Sequence, residues 1–137
     1  MASAHFDLRS RLASGEPFLF SWMTVPSAAL AGQVARLPFD GVCLDMQHGM
    51  IGFPDAVGMI AAINAAGRPA IVRSLWNDAA TPGQCFDAGA ACVIAPMVNT
   101  RAQAELLVRA AKYPPMGARS WGGYTAQQAS GLTPAEY

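Results

Sequence analysis

Four times along this chain a short, unbroken apolar run gives way to polar residues and then to a helical stretch. The runs cover residues 18–23, 42–46, 70–73 and 92–97. None of them alternates apolar with polar. That is the pattern of strands covered on both faces, as parallel strands are under crossover helices. Successive runs begin about 25 residues apart, close to a compact βαβ unit. Right-handed crossovers would lay them side by side and parallel.

The intervening stretches carry helix signals. Ser27 is placed to cap a helix over 27–36. Pro54 suits the first turn of another that runs to residue 66, and Gly67 is its natural left-handed stop. On that helix Ala56, Met59, Ile60 and Ile63 share one face. Asn77 or Asp78 is expected to cap a third helix ending near 88–89. Thr100 and Gln103 match a capping box, and Pro114-Pro115 ends the helix that follows. The expected inner face of that helix is Ala104, Leu107, Val108 and Ala111. A short helix over 6–13 is expected before the first strand. After Pro115 the chain turns Gly-, Ser- and Gln-rich, and no fifth strand is expected.

Four such units are half of a closed eight-unit barrel, which takes about 250 residues. Four strands could also form a small open sheet. A doubly wound nucleotide fold needs a Gly-rich first turn, and Met23-Thr-Val-Pro-Ser27 has no G-x-G-x-x-G. The expected class is therefore α/β, of the (β/α)8 TIM-barrel type, with about the first four βα units forming a half barrel. Residues 1–137 are expected to be the N-terminal part of a single barrel domain that stops before strand five.

Composition narrows the partners. Apolar residues make up 53% and charged residues 13%, which argues against disorder. Nine basic and nine acidic residues balance, with no basic stripe, so nucleic acid is not expected as a partner. The segment Met1–Pro17 lacks the apolar core of a signal peptide, and the longest uncharged apolar stretch, 88–98, is too short to span a bilayer. A soluble, cytoplasmic protein with no membrane partner is expected. Cys43, Cys85 and Cys92 form no metal or redox spacing and read as reduced core thiols.

In a barrel, chemistry sits where strands end. The second run ends in Asp45-Met-Gln47-His48, the third in Arg73-Ser-Leu-Trp-Asn-Asp78. His48 is a candidate general base; otherwise it is a hydrogen-bonded turn histidine. Arg73, closing a buried strand, either stabilises a developing enolate oxygen or pairs with Asp45 or Asp78. Asp45 is placed to orient the imidazole or to accept hydrogen bonds in the turn. Asp87, at a helix C-terminus, asks for a partner. Arg119 could meet a substrate carboxylate from a loop, or be a solvated loop residue. Trp22, Trp76 and Trp121 default to packing. No H-E-x-x-H, P-loop or G-x-S-x-G motif occurs.

These residues, in this order, carry a resemblance. Phe39-Asp-Gly-Val-Cys-Leu-Asp-Met-Gln-His48 resembles the strand-two signature of the HpcH/HpaI aldolases. Val72-Arg-Ser-Leu-Trp-Asn-Asp78, Phe86-Asp-Ala-Gly-Ala90, Ile94-Ala-Pro-Met-Val98 and Lys112-Tyr-Pro-Pro-Met-Gly-Ala-Arg119 resemble the segments that follow. The resemblance implies a class II lyase that cleaves 4-hydroxy-2-oxo acids, such as 4-hydroxy-2-oxoheptanedioate, to pyruvate and an aldehyde, within aromatic compound catabolism. It implies a divalent metal ion (Mg, Mn or Co) and a homo-oligomer, hexameric in the family. It gives His48 as the acid/base acting through water and Asp87 as the aspartate paired with it. Arg73 becomes the group holding the pyruvate oxygen, Asp45 and Gln47 supports of the metal–water network, and Arg119 the contact to the distal part of the substrate. Gln47 stands where many relatives carry Glu. The family's metal-binding carboxylates are expected beyond Tyr137, so none is assigned here. A metal-dependent decarboxylase, a citrate lyase-like enzyme and a non-catalytic half barrel are the rival expectations.

Overall fold

The computed structural model describes residues 8–130, 132, 133 and 135. Its elements are α1 (Leu8–Ala13), β1 (Phe20–Met23), α2 (Ala28–Val34), β2 (Gly41–Asp45), α3 (Phe53–Ala65), β3 (Ala70–Arg73), α4 (Thr81–Asp87), β4 (Cys92–Ile94), α5 (Arg101–Ala111) and α6 (Tyr124–Ser130). The strands form one sheet in the order β1-β2-β3-β4. Every neighbouring pair is parallel: Trp22 lies beside Cys43, Cys43 beside Ile71, Asp45 beside Arg73, and Arg73 beside Ile94. The fold is α/β, with the strand order of half a (β/α)8 barrel.

The central strands are buried as their unbroken apolar runs demand: all five residues of β2 and the first three of β3. Alternate residues divide the core in two. Val42, Leu44, Ala70 and Val72 face the helices and pack with Ala31, Met59, Ile60 and Ile63. Cys43 and Ile71 face the other way, joined by Leu8 of α1 and by Phe18, Phe20, Cys92 and Ile94. Burial of each large aliphatic chain contributes about 1.5–3 kcal/mol. Burial also pushes the Cys43 thiol up to about 12 and Cys85 up to about 11. Both therefore act as small hydrophobes.

Two strands are shorter than their apolar runs. The backbone of Leu19 is held by Asp40, its N–H donating to Oδ2 at 2.8 Å and its carbonyl accepting from the Asp40 N–H at 2.7 Å. The ladder therefore begins at Phe20. β4 stops at Ile94 because Pro96 has no N–H to donate and Met97 turns to φ 57°.

Helix ends follow the expected chemistry with one correction. Ser27 accepts the Leu30 N–H, Thr100 and Gln103 form the capping box, and Gly67 has φ 75°. The cap position of α4, however, is Ala80, and neither Asn77 nor Asp78 occupies it. Asp78 still does the capping chemistry from two residues back. Its Oδ1 accepts N–H groups of Ala80 and Thr81, and its Oδ2 accepts the Thr81 hydroxyl at 2.6 Å. Of the expected first helix, residues 6 and 7 lie outside the described residues.

One further expectation is corrected. No residue of α5 is buried, and Ala104 and Val108 of its expected inner face are exposed. A crossover helix buries its face over the groove between two strands, and among the described residues no strand lies beyond β4. The Gly- and Gln-rich tail holds a helix for which no expectation was formed: α6 packs on α4, with Ala126 and Ser130 buried.

Candidate active site

The residues at the C-terminal ends of β1, β2 and β3 converge on one carboxylate. Asp45 is 2% exposed. Its Oδ1 accepts Arg73 Nε at 2.8 Å, the Gln47 N–H at 3.0 Å and the His48 N–H at 3.1 Å. Its Oδ2 accepts Arg73 Nη2 at 2.5 Å and the Trp22 indole N–H at 3.1 Å. The register makes this meeting unavoidable. Asp45 and Arg73 are paired across β2 and β3, and Trp22 lies one step back on the same face of β1.

The Arg73 guanidinium beside it, opposed by burial and helped by the Trp22, His48 and Gln47 N–H groups, holds the Asp45 carboxyl well below the usual carboxylate range. The same bidentate pairing raises Arg73 above its ordinary value. Asp45 uses only the Nε–Nη2 edge of the guanidinium. The N–H donors of Nη1 and the outer side of Nη2 point elsewhere, and the Arg73 side chain is part-exposed.

The loop after β2 turns sharply over this pair. The Met50 N–H donates to the Thr24 carbonyl at 2.8 Å, closing the loop onto the end of β1. Gly49 sits inside the turn. A Cβ there would lie 2.2 Å from the Asp45 carbonyl oxygen and 3.0 Å from Thr24. His48, exposed, is therefore fixed through its backbone, while its imidazole takes no hydrogen bond among the described residues. Gln47 is half-buried and likewise anchored through its N–H.

Asp87 and Arg119 are elsewhere. Asp87 ends α4, and α4 runs back toward the N-terminal end of β4, opposite to the end that carries His48. Its partner is Arg119, whose Nη2 donates to Oδ1 at 2.5 Å. Arg119 is nearly buried, lies 4.6 Å from the Tyr113 ring centroid and 5.3 Å from that of Phe86, and its Nε finds no hydrogen-bond partner among the described residues. Gly122 is pressed onto the other Asp87 oxygen, which a Cβ would meet at 2.8 Å. So Asp45, Gln47, His48 and Arg73 come together in one chain, and Asp87 and Arg119 form a separate pair. Of the two readings of Asp78, pairing with Arg73 is not the one observed: burial, the largest single effect, pushes its pKa up, and the hydrogen bonds from the Thr81 hydroxyl and from the Thr81 and Ala80 N–H groups together outweigh it and lower the pKa.

Sequence reasoning assigned Trp22 to packing and passed over the Met97 carbonyl. Trp22 is 43% exposed and yet held by Asp45 and Arg73. Parity along the strands was the available signal, since Phe20, Trp22, Cys43, Asp45, Ile71 and Arg73 share one face. Met97 sits in the left-handed region with its carbonyl accepting from Asn77 Nδ2 at 2.6 Å and Asn99 Nδ2 at 3.0 Å. Strain of this kind is held only where neighbours over-determine it.

A hollow of about 360 Å³ lies under Tyr113, Pro114, Pro115 and Arg119. It is remote from Asp45, and the convergent polar groups mark the strand ends as the better site. Among the described residues no group of three or more His, Cys, Asp or Glu side chains is placed to hold a metal ion. No described helix is long and apolar enough to cross a membrane.

Residues 19–133 match the family described as HpcH/HpaI aldolase/citrate lyase. The chain is 44% identical over 108 residues to a hydroxypyruvate/pyruvate aldolase of Rhizorhabdus wittichii, covering 79% of this chain and 43% of the relative. It is 32% identical to a 4-hydroxy-2-oxo-heptane-1,7-dioate aldolase of Klebsiella pneumoniae, covering 87% and 45%. The crystal structure of an HpcH/HpaI aldolase from Desulfitobacterium hafniense superposes with a TM-score of 0.83 at 25% identity, covering 94% of this chain and 50% of that one. The chain thus spans half or less of the length of these relatives.

Proposed function

The chain belongs to the HpcH/HpaI aldolase/citrate lyase family, and on that premise we propose that its strand-end site serves a lyase that cleaves 4-hydroxy-2-oxo acids to pyruvate and an aldehyde. The observation that carries this reading is the Asp45–Arg73 pair with His48 beside it. A guanidinium held along one edge keeps its other N–H groups available to a substrate oxygen. That is what an oxygen gaining charge requires.

In the cleavage direction the C3–C4 bond breaks. Its electron pair passes to the 2-oxo oxygen as an enolate, and the C4 hydroxyl gives up its proton to become the aldehyde. Arg73 offers donors to the enolate oxygen. His48 takes the hydroxyl proton through a water and returns it to C3, completing pyruvate. Asp45, with its lone pairs already engaged by five donors, acts by holding Arg73 and the backbone of His48. The proposal retains Gln47 beside the metal–water network. It also keeps Asp87 as the partner of a His48 imidazole and Arg119 as a contact to the distal part of the substrate. Both lie at the far end of the sheet, so these roles are open to them only through a second copy of the chain, in a homo-oligomer.

The proposal includes a divalent ion (Mg, Mn or Co), which when bound would polarise the 2-oxo carbonyl. The described residues do not offer it a ligand set, and no step above runs through it. The name of the Rhizorhabdus relative widens the donor to hydroxypyruvate beside pyruvate. A second reading is a metal-dependent decarboxylase of the same enolate chemistry, with oxaloacetate as the substrate; the citrate lyase in the family description, which yields oxaloacetate as a product, supports an acid of that kind at the site.

The test is pyruvate release from 4-hydroxy-2-oxoheptanedioate by this chain, with and without manganese, with oxaloacetate run beside it. Metal-dependent release that disappears in His48→Ala supports the aldolase reading. Turnover unchanged by His48→Ala removes the role given to that residue, and turnover of oxaloacetate alone favours the second reading. No turnover of either marks the chain by itself as non-catalytic.

A further inference from the structure

Trp22 stands out because it is held far more firmly than an exposed edge-strand side chain needs to be. Among the described residues β1 is an edge strand, and Trp22 is 43% exposed. Three contacts nevertheless define its ring. The ring of Phe20 lies beneath it at a centroid distance of 5.9 Å, and Phe18 lies beneath Phe20 at another 5.9 Å. The indole N–H donates to Asp45 Oδ2 at 3.1 Å. The Arg73 Cζ lies 4.9 Å from the ring centroid.

An arginine at a strand end has long, soft torsions, and a single carboxylate fixes only one edge of its planar head. Rotation about that edge stays available unless something closes a face. Here a carboxylate takes the edge and an indole takes a face, while the same indole braces the carboxylate. The three groups form a closed triangle on the face of the sheet that carries Cys43 and Ile71.

We propose that Trp22 is a positioning residue for Arg73, orienting its outer N–H groups toward the oxygen of a 2-oxo acid. The inference rests on the site assignment above. It adds that ring and N–H act separately: the ring closes the guanidinium face, and the N–H steadies Asp45. Trp22→Phe keeps the first and loses the second. Trp22→Leu loses both.

The experiment is 15N NMR of the Arg73 side chain in this chain, recorded with and without sodium pyruvate for wild type and both variants. Hydrogen exchange at Arg73 Nε is measured against the backbone amide of Val72 on the same strand. Exchange is expected to rise about three- to tenfold in Trp22→Leu and by less in Trp22→Phe, in line with loss of one modest interaction each. The Val72 amide should stay unchanged, and the pyruvate-induced shift of Arg73 should weaken in the same order. Arg73 exchange equal to wild type in both variants overturns the proposal. If the Leu variant also loosens Val72, the Phe variant decides in the same way. If pyruvate fails to shift wild-type Arg73 while exchange still follows the series, the positioning role survives and the 2-oxo acid reading falls.

Discussion

Asp45 accepts five hydrogen bonds and is almost wholly buried, so removing its charge tests the centre of the site. Asp45→Asn keeps the shape and takes away the ion pair with Arg73. Arg73 is part-exposed, so the loss is cushioned by water, and about 1–3 kcal/mol is expected from urea unfolding at neutral pH. The pH dependence follows from the sign of the shift. The folded Asp45 carboxyl is depressed, so its stabilisation is complete above the unfolded value near pH 4 and is lost as pH falls toward the folded one. The stability curves of wild type and Asp45→Asn should therefore converge in acid. Curves that stay parallel below about pH 4 would show that the ion pair does not hold the fold. Thiol reactivity is a second check at this scale. With Cys43 pushed up to about 12 and Cys85 to about 11 by burial, neither should be alkylated by iodoacetamide in the folded chain at neutral pH, and both should react in denaturant.

At the scale of elements, two glycines make opposite predictions. Gly49 lies in the turn after β2, where a Cβ would come 2.2 Å from the Asp45 carbonyl oxygen. Gly49→Ala must push the loop outward, with a cost of about 1–3 kcal/mol typical of overpacking. Gly83 is inside α4, and nothing lies within 4 Å of its added Cβ. Gly83→Ala should be neutral or stabilising by up to about 1 kcal/mol, because alanine is the better helix former. Denaturant unfolding of the two variants checks both, and equal effects would mean that the turn is less tightly closed than its contacts indicate. Thr100 caps α5 through the Gln103 N–H, so Thr100→Ala should cost about 1 kcal/mol, read as lost helicity and lost stability together.

At the scale of the whole molecule, β1 and β4 each have one neighbour among the described residues, and large apolar side chains are exposed near the strand ends, among them Leu75, Trp76 and Met97. On α5, Val108 is 56% exposed. Parallel edges with unpaired backbone groups invite association. Sedimentation velocity over a concentration series is expected to show reversible self-association of the chain, weakened when Val108 is replaced by Lys. A single monomeric species throughout would mean that these faces are compatible with water as they stand.

The linear order of residues already contained the repeat, the parallel strands, the caps at Ser27 and Thr100, the stop at Gly67 and the helix face built from Ala56, Met59, Ile60 and Ile63. Each depends on neighbours a few positions away, so local chemistry suffices. It also contained Asp45, His48 and Arg73 as candidates, because ionisable residues that end apolar runs stand out. What it did not contain was how they meet. Arg73 had two possible partners, and only the register of β2 against β3 selects Asp45 over Asp78. Trp22 joined the site through alternation on a third strand, and Asp87 joined Arg119 because the tail returns onto α4. The face of α5 was misjudged because amphipathic spacing reveals an apolar stripe but not whether a strand lies beneath it. Contacts between residues distant in sequence depend on strand order and register, and these exist only once the sheet has formed.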